Sequence, residues 1–130
     1  MTQFLDFLEG ASCTQKLKPT LCSTAQTSAV IDFNLYVGRV AIVVNSTKGT
    51  DDNEVLTPTL VTDDESDGAF ATLHATLDTI LGGATPGAAD KAVWVVVAAS
   101  APKRYGKVVL TPTGTTPAFV ADVLVVGTLR

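Results

Sequence analysis

The chain has little charge and few of the side chains that build catalytic or metal centres. Its 130 residues include Lys+Arg 9 and Asp+Glu 13, for a formal net charge of -4, with one histidine and two cysteines. DNA, RNA and anionic membranes bind basic surfaces, so this balance argues against nucleic acid or a membrane as a partner. One histidine and two cysteines without a CxxC spacing do not supply the ligands of a zinc site. We therefore expect neither a metal nor a cofactor.

Long apolar runs are also missing. The longest, Ala92 to Ala99, is far shorter than the roughly 20 residues of a membrane-spanning helix. Residues 1–10 include Asp6 and Glu9 and lack the basic start and long apolar stretch of a secretory signal. We therefore expect a protein made in a cytoplasm, with Cys13 and Cys22 as free thiols rather than a disulfide.

Valine and threonine dominate what is present. The chain has 17 Val and 19 Thr, or 36 of 130 residues, against three Glu and one Met. β-branched side chains suit a pleated sheet, whereas helices favour the straight-chain residues that are scarce here. We predict a mainly β protein, and the length suits one domain.

The first 28 residues differ from the remainder in pattern. They begin with an apolar cluster that suits a short helix ending at Gly10, followed by a polar stretch without a sustained period. The apolar cluster consists of Phe4, Leu5, Phe7 and Leu8. We interpret residues 1–28 as an N-terminal arm or edge segment and residues 29–130 as a β-sandwich domain. Since exposed apolar side chains are costly in water, the cluster is expected to pack on its own domain or on a neighbour.

From residue 29 onward, short apolar runs alternate with turn-forming residues at intervals of about ten. This pattern predicts an antiparallel β-sandwich, of jelly-roll or Ig-like type. The expected strands are Ala29 to Phe33, Arg39 to Val44, Val55 to Thr62, Ala92 to Ala99, Lys107 to Thr111 and Ala118 to Val126. Arg39 to Val44 and Ala92 to Ala99 are apolar on both faces, so we predict that both are buried on two sides, with Trp94 anchoring the second.

Turn residues and prolines suggest how the strands are joined. Asn34 and Gly38 bracket an expected turn around Tyr36. Because proline cannot donate to a ladder, Pro58 indicates that its strand lies at an edge or contains a bulge. The stretch from Pro112 to Pro117 has the length of a hairpin connection.

Residues 70–81 are compatible with two structures. Their apolar side chains recur near helical spacing, and Gly82 with Gly83 would end such a helix. Three threonines lower the helix propensity of the same stretch. We favour a strand with a loop over one short helix.

Two features resemble chemical sites. His74, the only histidine, has no neighbouring nucleophile in sequence and is interpreted as a surface or structural residue rather than a catalytic base. Asp63 to Gly68 resembles the start of a calcium loop, but the closing acid of that loop would fall on His74. A solvated acidic turn is the better interpretation.

The one local basic cluster consists of Lys103, Arg104 and Lys107, beside Tyr105. A phosphate ligand is disfavoured because the chain is acidic and no aromatic platform accompanies the cluster. We expect it to pair with acidic groups of a protein neighbour or of its own surface, with the Tyr105 ring packed beneath the basic stems.

Two stretches carry a family resemblance. One runs from Ala29 to Val44 and continues from Leu56 to Gly68, with an Ile-Asp-x-x-x-Tyr strand start and a Ser-Asp-Gly turn. The other runs from Lys103 to Phe119, with Arg-Tyr and Gly-Thr-Thr-Pro, and closes with Val125 to Arg130. In these features the chain resembles small virion structural proteins of tailed bacteriophages, of the head decoration (cement) type. The resemblance spans about residues 29–130 with gaps, and residues 1–28 and 70–91 depart from it.

The resemblance implies a β-sandwich that coats a capsid, commonly as symmetric clusters, and has no catalytic residues. The implied partners are the major capsid protein and further copies of this chain, as a dimer or trimer, and the implied location is the capsid surface of a virion. We take the candidate contacts to be Phe4, Leu5, Phe7, Leu8, Lys103, Arg104 and Tyr105.

Three alternatives remain at this point. A tail or head–tail joining protein would form rings or tubes rather than clusters over a shell. A carbohydrate- or ligand-binding sandwich would need exposed aromatic platforms, and Trp94 is expected to be inside. An enzyme ranks last because acid–base groups are sparse.

Overall fold

A computed structural model describes residues 11–130, in which two antiparallel sheets pack face to face. The strands are β1 (Ala11–Cys22), β2 (Gln26–Thr27), β3 (Ile31–Asp32), β4 (Tyr36–Ser46), β5 (Val55–Asp63), β6 (Thr72–Thr76), β7 (Ile80–Leu81), β8 (Lys91–Ala98), β9 (Tyr105–Thr113) and β10 (Phe119–Leu129). This architecture confirms the predicted antiparallel β-sandwich. The apolar cluster Phe4, Leu5, Phe7 and Leu8 lies outside the described residues.

The four-stranded sheet has the order β1-β10-β4-β8, and the six-stranded sheet is built on β2-β9-β5-β6. In the six-stranded sheet, β3 also pairs with β9 and β7 with β5. Residues 11–22 thus form one edge strand of the four-stranded sheet, and β8 forms the other. Among residues 11–130, no helix is long and apolar enough to cross a membrane.

The core lies between the sheets because the long strands alternate inward and outward side chains with period two. Alternate residues of β4, β5 and β10 are buried along most of each strand. The inward side chains include Val40, Ile42, Val44, Leu56, Leu60, Val108, Leu110, Phe119, Val123 and Val125.

A 3₁₀ turn at Phe33–Leu35 connects β3 of the six-stranded sheet to β4 of the four-stranded sheet. One aromatic ring in this turn and one directly after it each pack against a glycine, one in each sheet. A Cβ at Gly106 of β9 would lie 2.7 Å from Phe33 Cε2, and one at Gly127 of β10 would lie 2.8 Å from Tyr36 Cδ1. Both positions therefore need the missing side chain of glycine. The turn expected around Tyr36 falls instead on this 3₁₀ turn, and Tyr36 begins β4.

Residues 70–81 are strand and loop, as favoured from the sequence. They form β6 and β7, separated by residues 77–79, and no α-helix occurs within residues 11–130. Pairing with β5 decides the outcome: Leu56 is opposite Ile80, and Thr59 is opposite Thr76.

Pro58 was predicted to mark either an edge strand or a bulge, and the edge-strand alternative is wrong. β5 pairs with β9 on one side, in continuous register through Pro58 opposite Leu110, and with β6 and β7 on the other. The Pro58 carbonyl accepts the Leu77 N–H at 2.9 Å, so the absent N–H faces the gap where residues 77–79 leave the sheet. An interruption in the neighbouring strand, with a register shift between Leu60 and Val61, accommodates the proline.

Two further expectations need correction. The connection after Pro112 is not a hairpin, because β9 belongs to the six-stranded sheet and β10 to the four-stranded sheet. β8 is an edge strand rather than a strand buried on two sides, and Trp94 is 64% exposed rather than an anchor in the core. Residues 11–130 form two sheets, so within these residues each sheet has one face without a covering layer.

Candidate interaction surface

The outer face of the four-stranded sheet is apolar on β10, β4 and β8, and β1 adds Cys13 and the polar Gln15 at one margin. Cross-strand register places its outward side chains in two adjacent rows. The first row is Cys13, Val126, Ala41 and Val96, and the second is Gln15, Leu124, Val43 and Trp94. Directly opposed residues share a face of the sheet, so these side chains form one continuous surface. We call these eight residues the apolar face.

The apolar face is most exposed at the β8 edge. Trp94 is 64% exposed and Val96 48%, while Val43, Leu124 and Val126 are half-buried by their neighbours. Two residues further along β4 and β10, at the margin of the apolar face, Asn45 Nδ2 donates to Asp122 Oδ1 at 2.9 Å. An apolar centre with polar groups at its margin is the composition of a protein-binding patch.

The outer face of the six-stranded sheet differs. Its outward positions on β5 and β9 are rich in hydroxyl groups, with Thr57 directly opposite Thr111 and Val55 opposite Thr113. Thr59 lies opposite Val109, and Lys107 opposite Val61. The threonine pair and Lys107 make this face more polar than the apolar face, although Val61, Val109 and the 60% exposed Leu73 of β6 leave apolar side chains on it.

The basic residues beside β9 pair within the chain. Arg104 Nε and Nη2 each lie 3.2 Å from an oxygen of Asp32, and the guanidinium lies 4.8 Å from the centre of the Tyr105 ring. The Arg104 hydrogen bond lowers the pKa of the Asp32 carboxyl, and the same contact raises the pKa of Arg104. Arg104 and Tyr105 therefore help to hold the start of β9 against β3.

The other basic side chains are less constrained. Lys103 Nζ lies 4.0 Å from Asp64, and the Lys103 side chain is 44% exposed. Lys107 Nζ lies 4.4 Å from the centre of the Phe70 ring, a cation–π contact with a buried aromatic. Of the two predicted cationic contact residues, Lys103 has only this one long ion pair, whereas Arg104 holds two hydrogen bonds to Asp32.

The acidic turn is organised by its own backbone. Asp63 Oδ1 accepts the Glu65 N–H at 3.0 Å, and Oδ2 accepts the Phe70 N–H at 3.1 Å. These backbone bonds lower the pKa of Asp63. The first residue of the supposed calcium loop thus uses both oxygens to close a turn, which supports the solvated-turn interpretation.

The remaining titratable groups do not assemble into a centre within the described part of the chain. His74 is exposed on β6, and no group of three or more His, Cys, Asp or Glu in residues 11–130 is arranged to hold a metal. Glu54 is 1% exposed, and its Oε2 accepts the Asp51 N–H at 3.3 Å while Oε1 lacks a partner in residues 11–130. Cys13 is exposed and Cys22 buried, as free thiols, and burial raises the pKa of Cys22.

Sequence reasoning recognised the two-sided apolar strands but placed both of their faces inside. The signal for the apolar face was present: β4, β8 and β10 each carry valine or leucine at outward as well as inward positions. Only the sheet order shows that these outward positions adjoin one another and that Trp94 stands at their free edge.

Comparison with known proteins identifies the fold. No family model matches the sequence, and no curated protein matches it. The infectious bursal disease virus VP2 subviral particle superposes with a TM-score of 0.51 at 13% identity, covering 92% of this chain and 32% of that chain. The structure of the infectious bursal disease virus Gt strain gives a TM-score of 0.52 at 13% identity, with coverages of 92% and 31%.

A Bacillus structure, described as endospore appendages that form a novel family of disulfide-linked pili, gives a TM-score of 0.46 at 12% identity. It covers 92% of this chain and 86% of that chain. The present chain spans about a third of the length of the viral chains it matches. At 13% identity the viral likeness shows a shared sandwich fold.

Proposed function

We propose that this chain is a non-enzymatic virion structural protein, a head decoration (cement) protein that binds the exterior of a phage capsid and associates with further copies of itself. The observation that carries the proposal is the apolar face. A face whose apolar side chains lie mainly on β10, β4 and β8 is stabilised when another protein surface removes it from water, at roughly 25 cal/mol per Å² of apolar area.

The outer face of the whole four-stranded sheet, with the apolar face at its centre, is large enough for a protein partner. Four strands about 4.8 Å apart, with about ten residues at about 3.3 Å each, present roughly 600 Å². One partner in a standard protein interface buries roughly 800 Å², so the sheet and its adjoining loops suffice for one such contact. Many copies on one shell make modest individual contacts sufficient, because each added contact raises the effective concentration of the next.

Two independent observations support a place in a virion. The stretches within residues 29–130 resemble phage decoration proteins in their strand starts and turns. The fold is similar to part of a viral chain that forms a subviral particle. Both are compatible with a sandwich used as a building block of a shell.

The test uses heads of the parent virus assembled without this protein. We expect purified protein to co-sediment with them, and Leu124→Lys on the apolar face to weaken binding at least tenfold, because an ammonium group would be buried against the capsid. Val109→Lys is the matched control: it places the same charge on an outward, half-buried position of the six-stranded sheet. Absence of binding by the unmodified protein, or equal loss in both variants, contradicts the proposal.

The contacts predicted from the sequence are tested separately on the same heads. Deletion of residues 2–10 removes Phe4, Leu5, Phe7 and Leu8, and Lys103→Ala removes the ammonium group of Lys103. We propose that both groups extend the contact made by the apolar face, so each change should weaken binding, with the lysine effect reduced in high salt. Unchanged binding after either change excludes that group. Arg104→Ala and Tyr105→Ala need a folding control because both side chains help to fix β9.

A glycan-binding module is the second candidate, favoured by the exposure of Trp94. An exposed indole is a common platform for a sugar ring. The sequence-based argument against this function assumed that Trp94 is buried, and the structure shows that it is exposed. The neighbours of Trp94 on the sheet are Val43 and Val96, which offer no hydrogen bonds to sugar hydroxyls. Glycan-array binding that Trp94→Ala abolishes, without binding to heads, would replace the leading proposal.

A further inference from the structure

We propose that the free edge of β8 binds a second copy of this chain, by antiparallel pairing of the two β8 strands about a twofold axis. This inference deepens the self-association included in the proposed function and rests on it. The resulting dimer joins two four-stranded sheets into one eight-stranded sheet and makes the two apolar faces continuous.

The edge strands of the described residues differ in how well they resist pairing. β1 carries Lys16, Lys18 and Pro19, and its register with β10 shifts twice. Charged side chains, proline and bulges are the usual protections of a sheet edge. At the edges of the six-stranded sheet, β2 has two residues, and β6 has five with a register shift.

β8 has none of these protections between Ala92 and Ala98. It pairs with β4 in unbroken register over eight residues, and the only charged residue of the strand, Lys91, stands at its start. A long, regular and uncharged edge is a template for another strand.

The hydrogen-bond pattern identifies which backbone groups of β8 are free. Ala99 N–H donates to the Gly38 carbonyl at 2.8 Å, so Gly38 and Ala99 are a hydrogen-bonded pair. In an antiparallel ladder such pairs recur every second residue, so Val97, Val95 and Val93 point their backbone groups toward β4. The backbone groups of the intervening residues point away from the sheet. These residues are Ala92, Trp94, Val96 and Ala98.

This row of free groups is complementary to itself. With the twofold axis at Val95, Trp94 of one copy pairs with Val96 of the second copy, and Ala92 pairs with Ala98 of the second copy. Each of these residues exchanges both of its backbone bonds with its opposite. The two Trp94 side chains become diagonal neighbours on the same face, within reach of each other.

Charge favours the antiparallel arrangement over the parallel one. In the antiparallel dimer, Lys91 of one copy lies opposite Ala99 of the other, so the two ammonium groups are at opposite ends of the shared edge. A parallel pairing would place the two Lys91 side chains side by side. Because one paired strand buries less than a standard interface, we expect a dimer that dissociates in the micromolar range.

The experiment is sedimentation equilibrium of the full chain from about 1 to 200 μM, with the fluorescence of Trp94, the sole tryptophan, as a second readout. We expect the mass to rise from one chain to two, with a blue shift of the Trp94 emission over the same range. Val96→Pro should weaken the dimer at least tenfold. It removes an N–H that points to solvent in the monomer, so the ladder with β4 is retained.

Two matched variants distinguish the edge from other surfaces. Val96→Lys keeps the backbone donor but makes two lysines diagonal neighbours across the axis, and it should also weaken the dimer. Val126→Lys places the same charge on the apolar face two strands away and should leave the edge dimer intact. Circular dichroism and thermal unfolding check that each variant is folded.

Several results overturn the inference. A wild-type chain that stays monomeric at 200 μM excludes β8 pairing, and a dimer produced only by deletion of residues 2–10 means that the edge has another occupant. A dimer that Val126→Lys dissolves and Val96→Pro does not is packed face to face. A β8 dimer without affinity for viral heads removes the proposed function alone, whereas head binding by a monomer removes this inference alone.

Discussion

The outer faces of the two sheets differ in the side chains that their central strands carry. On the six-stranded sheet, the central strands turn threonines outward, with Thr57 opposite Thr111. On the four-stranded sheet, the equivalent central positions are aliphatic, with Val43 opposite Leu124. The inner faces of both sheets are aliphatic and form one core.

This difference explains why valine and threonine are both abundant. The two side chains are β-branched and similar in shape, so either suits a strand, but the threonine hydroxyl can bond to water. Threonine on the outer face of one sheet keeps that face solvated. Valine and leucine on the other leave apolar surface exposed to water, and contact with another protein surface would stabilise such a patch.

The largest expected effect separates the core from the outer face. Phe119 is fully buried, so Phe119→Ala should lower the free energy of unfolding by about 3–5 kcal/mol, because the sheets cannot close on the cavity. Trp94 is 64% exposed, so Trp94→Ala should change it by less than about 1 kcal/mol. Urea denaturation at low protein concentration measures both. A large loss for Trp94→Ala would mean that Trp94 is already covered in the isolated chain.

An intermediate effect comes from exchanging the chemistry of the two outer faces. Val43→Thr with Leu124→Thr should reduce the binding of a hydrophobic dye several-fold, since it converts one cross-strand pair of the apolar face to hydroxyls. Thr57→Val with Thr111→Val makes the reverse change at a matched pair and should create dye binding and self-association. Equal dye binding by the two double variants would show that the faces do not differ in solution.

The smallest effect is a pH dependence at the six-stranded sheet. Arg104 lowers the pKa of Asp32 in the folded chain, so this contact stabilises the fold above the ordinary pKa of an aspartate. The stabilisation is lost as the pH falls through the lowered value. Because the Arg104 side chain is half exposed, the effect should be below about 1 kcal/mol.

Asp32→Asn tests this contribution while keeping an oxygen for the Asn34 N–H. We expect the variant to be slightly less stable at neutral pH and equal to wild type near pH 2, measured by urea midpoints. A constant difference between the two proteins across this range would show that the ion pair contributes nothing.

Much of the fold follows from residue patterns, and the errors share a cause. The strands at Arg39 to Val44 and Val55 to Thr62 were predictable because period-two alternation and β-branched side chains are local properties. The position of Pro58 inside the sheet could not be predicted, because it depends on the break between the neighbouring strands β6 and β7. The crossing from β9 to β10 was read as a hairpin because a short proline-bounded connection has the same length in both arrangements.

The candidate surface also has features that the sequence predicted and features that it did not. The basic cluster could be found in the sequence, but its pairing of Arg104 with Asp32 joins residues far apart in the chain. The apolar residues of β4, β8 and β10 were also visible, but Arg39 to Val44 and Ala92 to Ala99 were predicted to be buried on both faces. Two sheets enclose one buried layer, so within residues 11–130 the outer faces of these strands have no covering layer.

By itself, the amino-acid sequence determined that this chain builds antiparallel strands from valine and threonine and that several of these strands are apolar on both sides. Those properties depend on each residue and its nearest neighbours. Only the tertiary structure decided which side faces the core, that the other sides of β8, β4 and β10 adjoin in one surface, and that β8 is an edge strand within residues 11–130. These depend on the order of strands in a sheet, which is set by hydrogen bonds between residues distant in sequence.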